Sequence, residues 1–195
     1  MIVTFWEIAD IIAMTFFIGF IFKDYFRLVP KPKHHAGYEP LEYYNKSKKG
    51  KFWEDLLHSC MIAAPALVLH EFGHKIVAMS FGAIATLHAP YFMYLIILGM
   101  KLIKFPILFF VGGYVTHSAL PPLQSAFVSL AGPLTNLILY LICFIAVKYE
   151  LANNKYTPLL MASGKLNLFL CIFNMIPIPG FDGYNMFMGL WQAFV

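Results

Sequence analysis

The chain has 195 residues, 60% of them hydrophobic and 12% charged, whereas soluble domains carry about 25% charged residues. That balance excludes an ordinary soluble domain and leaves room for about five or six membrane segments of about 20 apolar residues each. The net charge of +4 is not a nucleic-acid signal, because eight of the fourteen Lys and Arg fall within residues 23–51, where a basic stretch beside apolar runs reads as a headgroup-facing loop.

In chain order, residues 2–22 read as a first membrane span, interrupted by Glu7 and Asp10. It lacks a basic leader region and a small-residue cleavage site, so it reads as a retained helix. Residues 23–55 form a basic juxtamembrane loop containing Pro30, Pro32, Gly37 and Pro40. Residues 56–81 are a second span, stopped by Gly82. Residues 83–118 are apolar but broken by Pro90, Gly99, Lys101, Lys104, Pro106 and the Gly112-Gly113 pair. We expect one short helix there plus a re-entrant or hairpin element, because the aromatic and β-branched run before His117 favours extended backbone. Pro121-Pro122 opens a span over residues 123–147, a polar loop follows, and residues 159–176 form another span. Residues 183–195 make half a span. The expected architecture is a membrane all-α, polytopic bundle of about five to six transmembrane segments with a short membrane-embedded strand or re-entrant element. Its parts are a first span (1–22), the basic loop (23–55) and a catalytic membrane core (56–195). Cys60, Cys143 and Cys171 are odd in number and lie in apolar runs, so they do not read as a disulfide framework.

The second span carries a costly feature, the sequence His70-Glu71-Phe72-Gly73-His74-Lys75. Ionisable residues inside a membrane segment are expensive and usually functional. In a helix, residues four apart share a face, so His70 and His74 can direct two imidazole nitrogens at one ion. Glu71 can reach a water on that ion as a general base. A catalytic zinc site needs a third protein ligand. The extended form of the motif is absent, since Val77 stands where its Gly would be. Downstream carboxylates are limited to Glu150, in a polar loop, and Asp182, in an apolar stretch broken by Pro177, Pro179 and Gly180. Asp182 is the stronger candidate, with a helix N-cap as its structural alternative; His88 and His117 compete. Gly132 and Pro133 read as residues that permit close helix packing, and Asn136 as a residue that caps or bonds an interior backbone group.

Three stretches, "HEFGH", "AGPLTN" and "NMIPIPGFDG", resemble in the same order the signatures of the site-2 protease family of intramembrane zinc metalloproteases. The last departs from the usual Leu-Asp-Gly ending by carrying Phe181, apolar for apolar. The resemblance implies one Zn2+ per chain held by His70, His74 and Asp182, with Glu71 as base. It implies Asn174 near the metal, bonding substrate or the oxyanion. It also implies that Gly112, Gly113, Tyr114 and Val115 offer a strand edge to the substrate, a transmembrane protein cleaved within or next to its helix. The setting it implies is a lipid bilayer, as a multi-pass protein of the cell membrane. It places the basic loop outside the cell, whereas the positive-inside rule places that loop in the cytoplasm. The alternative function is a catalytically silent membrane chaperone or binding protein of the same fold.

Overall fold

A computed structural model describes residues 3–26, 52–105 and 112–195. Most of the basic loop therefore lies outside the described residues. Helix α1 (Phe5–Phe22) opens on a capping box, in which Thr4 and Glu7 satisfy each other's backbone donors. Helix α2 (Phe52–Ser80) starts four residues earlier than the apolar run suggests. Glu54 and Asp55 lie in its first turn, where carboxylates suit the positive end of a helix. At its other end Gly82 takes φ +82°, so that Gly82 N–H reaches Met79 O (2.9 Å) and Ala83 N–H reaches Ala78 O (3.1 Å).

Strand β1 (Ala85–His88) follows at once, then helix α3 (Tyr91–Leu102), then strand β2 (Tyr114–His117). The strands pair antiparallel, Ala85 opposite His117 and His88 opposite Tyr114. Helix α4 (Pro122–Lys148) begins with proline at a position whose N–H has no helical partner, and contains Pro133. Helices α5 (Thr157–Asn174) and α6 (Asp182–Phe194) complete the bundle. Helix α4 is central and packs against α2, α5 and α6, while α1 packs against α2 and β1. The main core joins Met14 and Ile18 of α1, Ile62, Ala66 and Leu67 of α2, Leu87 of β1, Tyr94 of α3, and Leu166 and Leu170 of α5.

Among the described residues, α1, α2 and α4 are long and apolar enough to cross a membrane. Their outer faces agree with that. Ile8, Ile12 and Phe16 form an exposed stripe on α1, and Ile138, Leu141, Ile142 and Ile145 are exposed on α4. In water such stripes would be an aggregation hazard; against lipid tails they cost nothing. The protein is a mostly helical membrane protein with a small two-stranded sheet.

The hairpin differs in detail from the sequence expectation. The strand begins at Tyr114, with Gly112 and Gly113 leading into it, and its partner is β1, a segment that "ATLH" alone does not announce. Ser118 N–H donates to Ile84 O (3.0 Å). Two residues along in each direction, Thr86/Thr116 and His88/Tyr114 are then the hydrogen-bonded pairs. Leu87 and Val115 face each other in a non-bonded pair and turn their N–H and C=O outward, to opposite edges of the sheet. The Leu87 N–H is taken by Glu7 Oε1 at 2.8 Å. The Val115 edge has no strand partner among the described residues.

Candidate active site

The site is built where α2, α4 and α6 meet. Gly73 makes that meeting possible: a Cβ there would press into Thr135 Oγ1 and Ala131 O of α4. Gly132 goes further, because its Cβ would collide with Nε2 of both His74 and His70. The "AGP" motif therefore presents bare backbone to two imidazoles, a more specific demand than the close helix packing it suggests in sequence.

His70 and His74 lie one helical turn apart on α2, buried, with their Nε2 atoms 3.1 Å from each other. Asp182 enters from the first turn of α6. Its Oδ2 stands 3.0 Å from His70 Nε2 and 3.3 Å from His74 Nε2. The N-cap of that helix is Phe181, so Asp182 does not serve as the cap. The three donor atoms all lie within 4.8 Å of one another.

The position of the protons decides what this cluster can do. His74 Nδ1 lies 2.7 Å from Val128 O, a carbonyl that can only accept. His74 therefore carries its proton on Nδ1 and leaves Nε2 bare. His70 Nδ1 lies 2.5 Å from Asn136 Oδ1. The amide nitrogen of Asn136 donates to Ala66 O at 2.8 Å, which fixes its carbonyl toward His70. His70 is thus also protonated on Nδ1 when neutral. Two imidazole lone pairs and one carboxylate oxygen then converge with no proton among them, and buried Asp182 Oδ2 is left without a hydrogen bond. Such an arrangement is repulsive on its own terms and fits a cation. Two imidazoles and a carboxylate suit zinc, leaving a fourth position open.

Glu71 is buried on the adjacent face of α2, and its Cγ stands 3.0 Å from where a Cβ on Gly113 would be. The entrance to β2 is thus laid against the Glu71 side chain. Tyr94 of α3 holds that entrance, donating its hydroxyl to Gly112 O at 2.6 Å while stacking on Phe17 of α1 at 4.0 Å. Tyr114 is exposed, and Val115 is half-buried against the core.

The remaining candidates fall elsewhere. Asn174 ends α5, and its amide donates to Leu170 O (3.0 Å), back along its own helix. His88 stacks on Tyr114 and contacts Thr116 Oγ1 at 3.0 Å, and His117 bonds Ser118 O at 2.9 Å, so both belong to the hairpin. Glu150 closes the C-terminal end of α4, exposed. Sequence reading has Asn136 capping or bonding an interior backbone group; its contact with His70 joins two segments 66 residues apart, and no local pattern signals it.

Comparison with known proteins finds zinc metalloproteases among the relatives of this chain. The model of peptidase family M50 matches residues 60–152. The chain is 31% identical over 139 residues to "Putative zinc metalloprotease MJ0611" of Methanocaldococcus jannaschii, covering 70% of this chain and 71% of that protein. It is 29% identical to "Zinc metalloprotease MJ0392" of the same organism, over 68% of this chain and 33% of that longer protein. It is also 29% identical to "Putative zinc metalloprotease Rip2" of Mycolicibacterium smegmatis, over 62% of this chain and 52% of the relative. No solved structure matches. The chain belongs to peptidase family M50, in keeping with its resemblance to the site-2 protease family.

Proposed function

We propose that the protein is an intramembrane zinc metalloprotease, one zinc per chain, that hydrolyses a peptide bond within or beside a transmembrane helix of a substrate protein. The observation that carries this reading is the convergence of His70 Nε2, His74 Nε2 and Asp182 Oδ2 with their protons turned away. These three would hold the metal. When bound, the ion supplies Lewis acidity, polarising the scissile carbonyl and lowering the pKa of a water. Glu71 takes the proton from the attacking water and returns it to the leaving amine. Gly132 lets the α4 backbone lie directly against both imidazoles, where any Cβ would strike their Nε2 atoms.

A substrate helix hides its carbonyls in its own hydrogen bonds and has to unwind before cleavage. Unwound backbone in a bilayer needs new partners, because each unpaired group costs several kcal/mol. The outward N–H and C=O of Val115 can supply them by strand addition. Gly112 and Gly113, without side chains, let the entrance to β2 lie against Leu67, Met14 and Glu71, which sets this edge beside the general base, and Tyr94 steadies Gly112. Asn174 is assigned to the substrate side of the site on family resemblance alone. In this reading α5 and the shorter α3 and α6 join the three long apolar helices in a bundle of five to six segments, in the cell membrane.

Purified protein incubated with a model membrane substrate tests the reading. Cleavage should stop on zinc chelation and return with zinc. Glu71→Gln should keep the metal and lose at least roughly a hundredfold in rate. Asp182→Asn should lose both metal and cleavage. A Glu71→Gln protein that cleaves at the normal rate removes Glu71 as the base.

A further inference from the structure

Behind the metal-facing side of His70 lies a buried relay that reaches a third helix. Asn136 on α4 and Asn167 on α5 are 0% and 1% exposed. Asn136 Nδ2 donates to Ala66 O (2.8 Å) and to Asn167 Oδ1 (2.9 Å). Asn167 Nδ2 donates to Ser163 O at 2.9 Å and lies 3.4 Å from Ser163 Oγ. Both ends of the relay are backbone carbonyls, which only accept. They remove the usual ambiguity of amide orientation: each nitrogen must face its carbonyl, so each Oδ1 faces the other way. The chain of donation runs in one direction, from His70 Nδ1 to Asn136, from Asn136 to Asn167, and from Asn167 to Ser163.

We propose that Asn167 is a positioning residue for the metal centre. It accepts from Asn136 and holds that amide with its carbonyl toward His70, which fixes His70 in the tautomer whose Nε2 is bare. Without it, one Asn136 N–H loses its partner inside an apolar bundle, and Ala66 O alone is left to hold the amide in place. A turned amide would present N–H to His70 Nδ1, force the proton to Nε2 and block the ligand position. Aligned donation also polarises the Asn136 carbonyl and so raises the basicity of His70 as a ligand. Asn167 lies in "GKLNLFL", outside every motif that marks the site. The alternative is that Asn167 merely ties α5 to α4.

This inference rests on the zinc reading above, and the test separates the two. Zinc affinity of the purified full chain in detergent would be measured by competition with a chromogenic chelator. The Co2+-substituted protein would be examined by its visible spectrum, and thermal unfolding of the metal-free forms recorded beside both. Asn167→Leu should weaken zinc binding by roughly 10–100-fold and change the cobalt bands. Asn167→Asp, neutral in so apolar a site, keeps one acceptor for Asn136 and one donor for Ser163 O, and should recover most of the affinity. The loss from Asn167→Leu should vanish when Asn136 is already Leu, because the effect passes through Asn136. Unchanged affinity and spectrum in Asn167→Leu, with only a lowered unfolding temperature, would overturn the proposal and leave a helix tie. Losses that multiply in the double variant would do the same. A wild-type chain that takes up no zinc overturns the metalloprotease reading and this one with it. If Asn167→Leu does not fold, the Asp variant decides: near-normal affinity supports the relay, and a loss as large as that of Asn136→Leu sinks it.

Discussion

Helix α2 carries two buried polar clusters that come within one residue of each other, at His74 and Lys75, and they are finished in opposite ways. Lys75 points toward α1 and β1, where its ammonium pairs with Glu7 Oε1, both side chains being 2% exposed. The same oxygen takes Leu87 N–H, and the other oxygen of Glu7 takes Thr4 N–H (2.7 Å) and Thr4 Oγ1 (3.1 Å). Charge meets charge, and donors meet acceptors. His70 and His74 point toward α4 and α6, where three acceptor atoms face one another with no donor among them. A polar group in an apolar helix is thus not in itself a functional sign. What separates the two clusters is balance: the closed one ties the first helix and the hairpin to α2, and the unbalanced one has room for a cation.

The closed cluster should be the more expensive to break. Lys75→Met leaves the Glu7 carboxylate buried without its counter-charge, and loss of one partner of a buried pair costs about 3–5 kcal/mol. Adding Glu7→Gln should recover more than half, because Gln can still accept from Leu87 N–H while carrying no charge. Unfolding of the single and double variants in detergent measures this. A Lys75→Met protein within about 1 kcal/mol of wild type would mean that the pair is wetter than its burial indicates.

The two outer edges of the hairpin repeat the comparison at smaller scale. Leu87 N–H is occupied by Glu7, while Val115 N–H has no strand beside it among the described residues. Proline at either place leaves the ladder bonds of the neighbouring residues intact and deletes one outward donor. Leu87→Pro should destabilise the fold by at least about 1.5–3 kcal/mol, through the lost bond to a charged group. Val115→Pro should keep bound zinc and slow cleavage of membrane substrates about tenfold, the equivalent of one hydrogen bond to the substrate. Equal rates for Val115→Pro and wild type would leave strand addition at this edge without support.

What the sequence discloses follows from how local each feature is. The four-residue spacing of His70 and His74 is a property of one helix turn, and Gly82 ends that helix with a residue suited to positive φ. Asp182 stands out because the chain offers so few carboxylates after His74. The contacts between segments are a different matter. Glu7 reads as an interruption of a span until Lys75 and Leu87 appear beside it, 68 and 80 residues away. Asn136 and Asn167 meet across 31 residues, on helices whose order in space no periodicity reveals. Strand β1 is four residues of mixed character whose partner lies beyond an intervening helix. Gly132 reads as a packing residue because its neighbours, two imidazoles, come from elsewhere in the chain.

Glu150 supplies the smallest effect and a control outside both clusters. It competes with Asp182 in sequence, yet its structural part is played by its backbone. At φ +52° it occupies the left-handed position after α4, so that Glu150 N–H reaches Val147 O (3.3 Å) and Leu151 N–H reaches Ala146 O (2.9 Å). This is the closure that Gly82 makes at the end of α2, carried out by a residue with a Cβ. The left-handed region costs such a residue about 1–2 kcal/mol, and glycine gives back about 0.5–1 kcal/mol of that gain in chain entropy. Glu150→Gly should therefore stabilise the protein by about 0.5 kcal/mol while leaving zinc affinity and cleavage rate unchanged. Its carboxylate is solvated and reaches neither polar cluster, so removing it should touch no ligand and no buried charge. A loss of zinc in this variant would bring Glu150 into the metal site and break the contrast with Asp182.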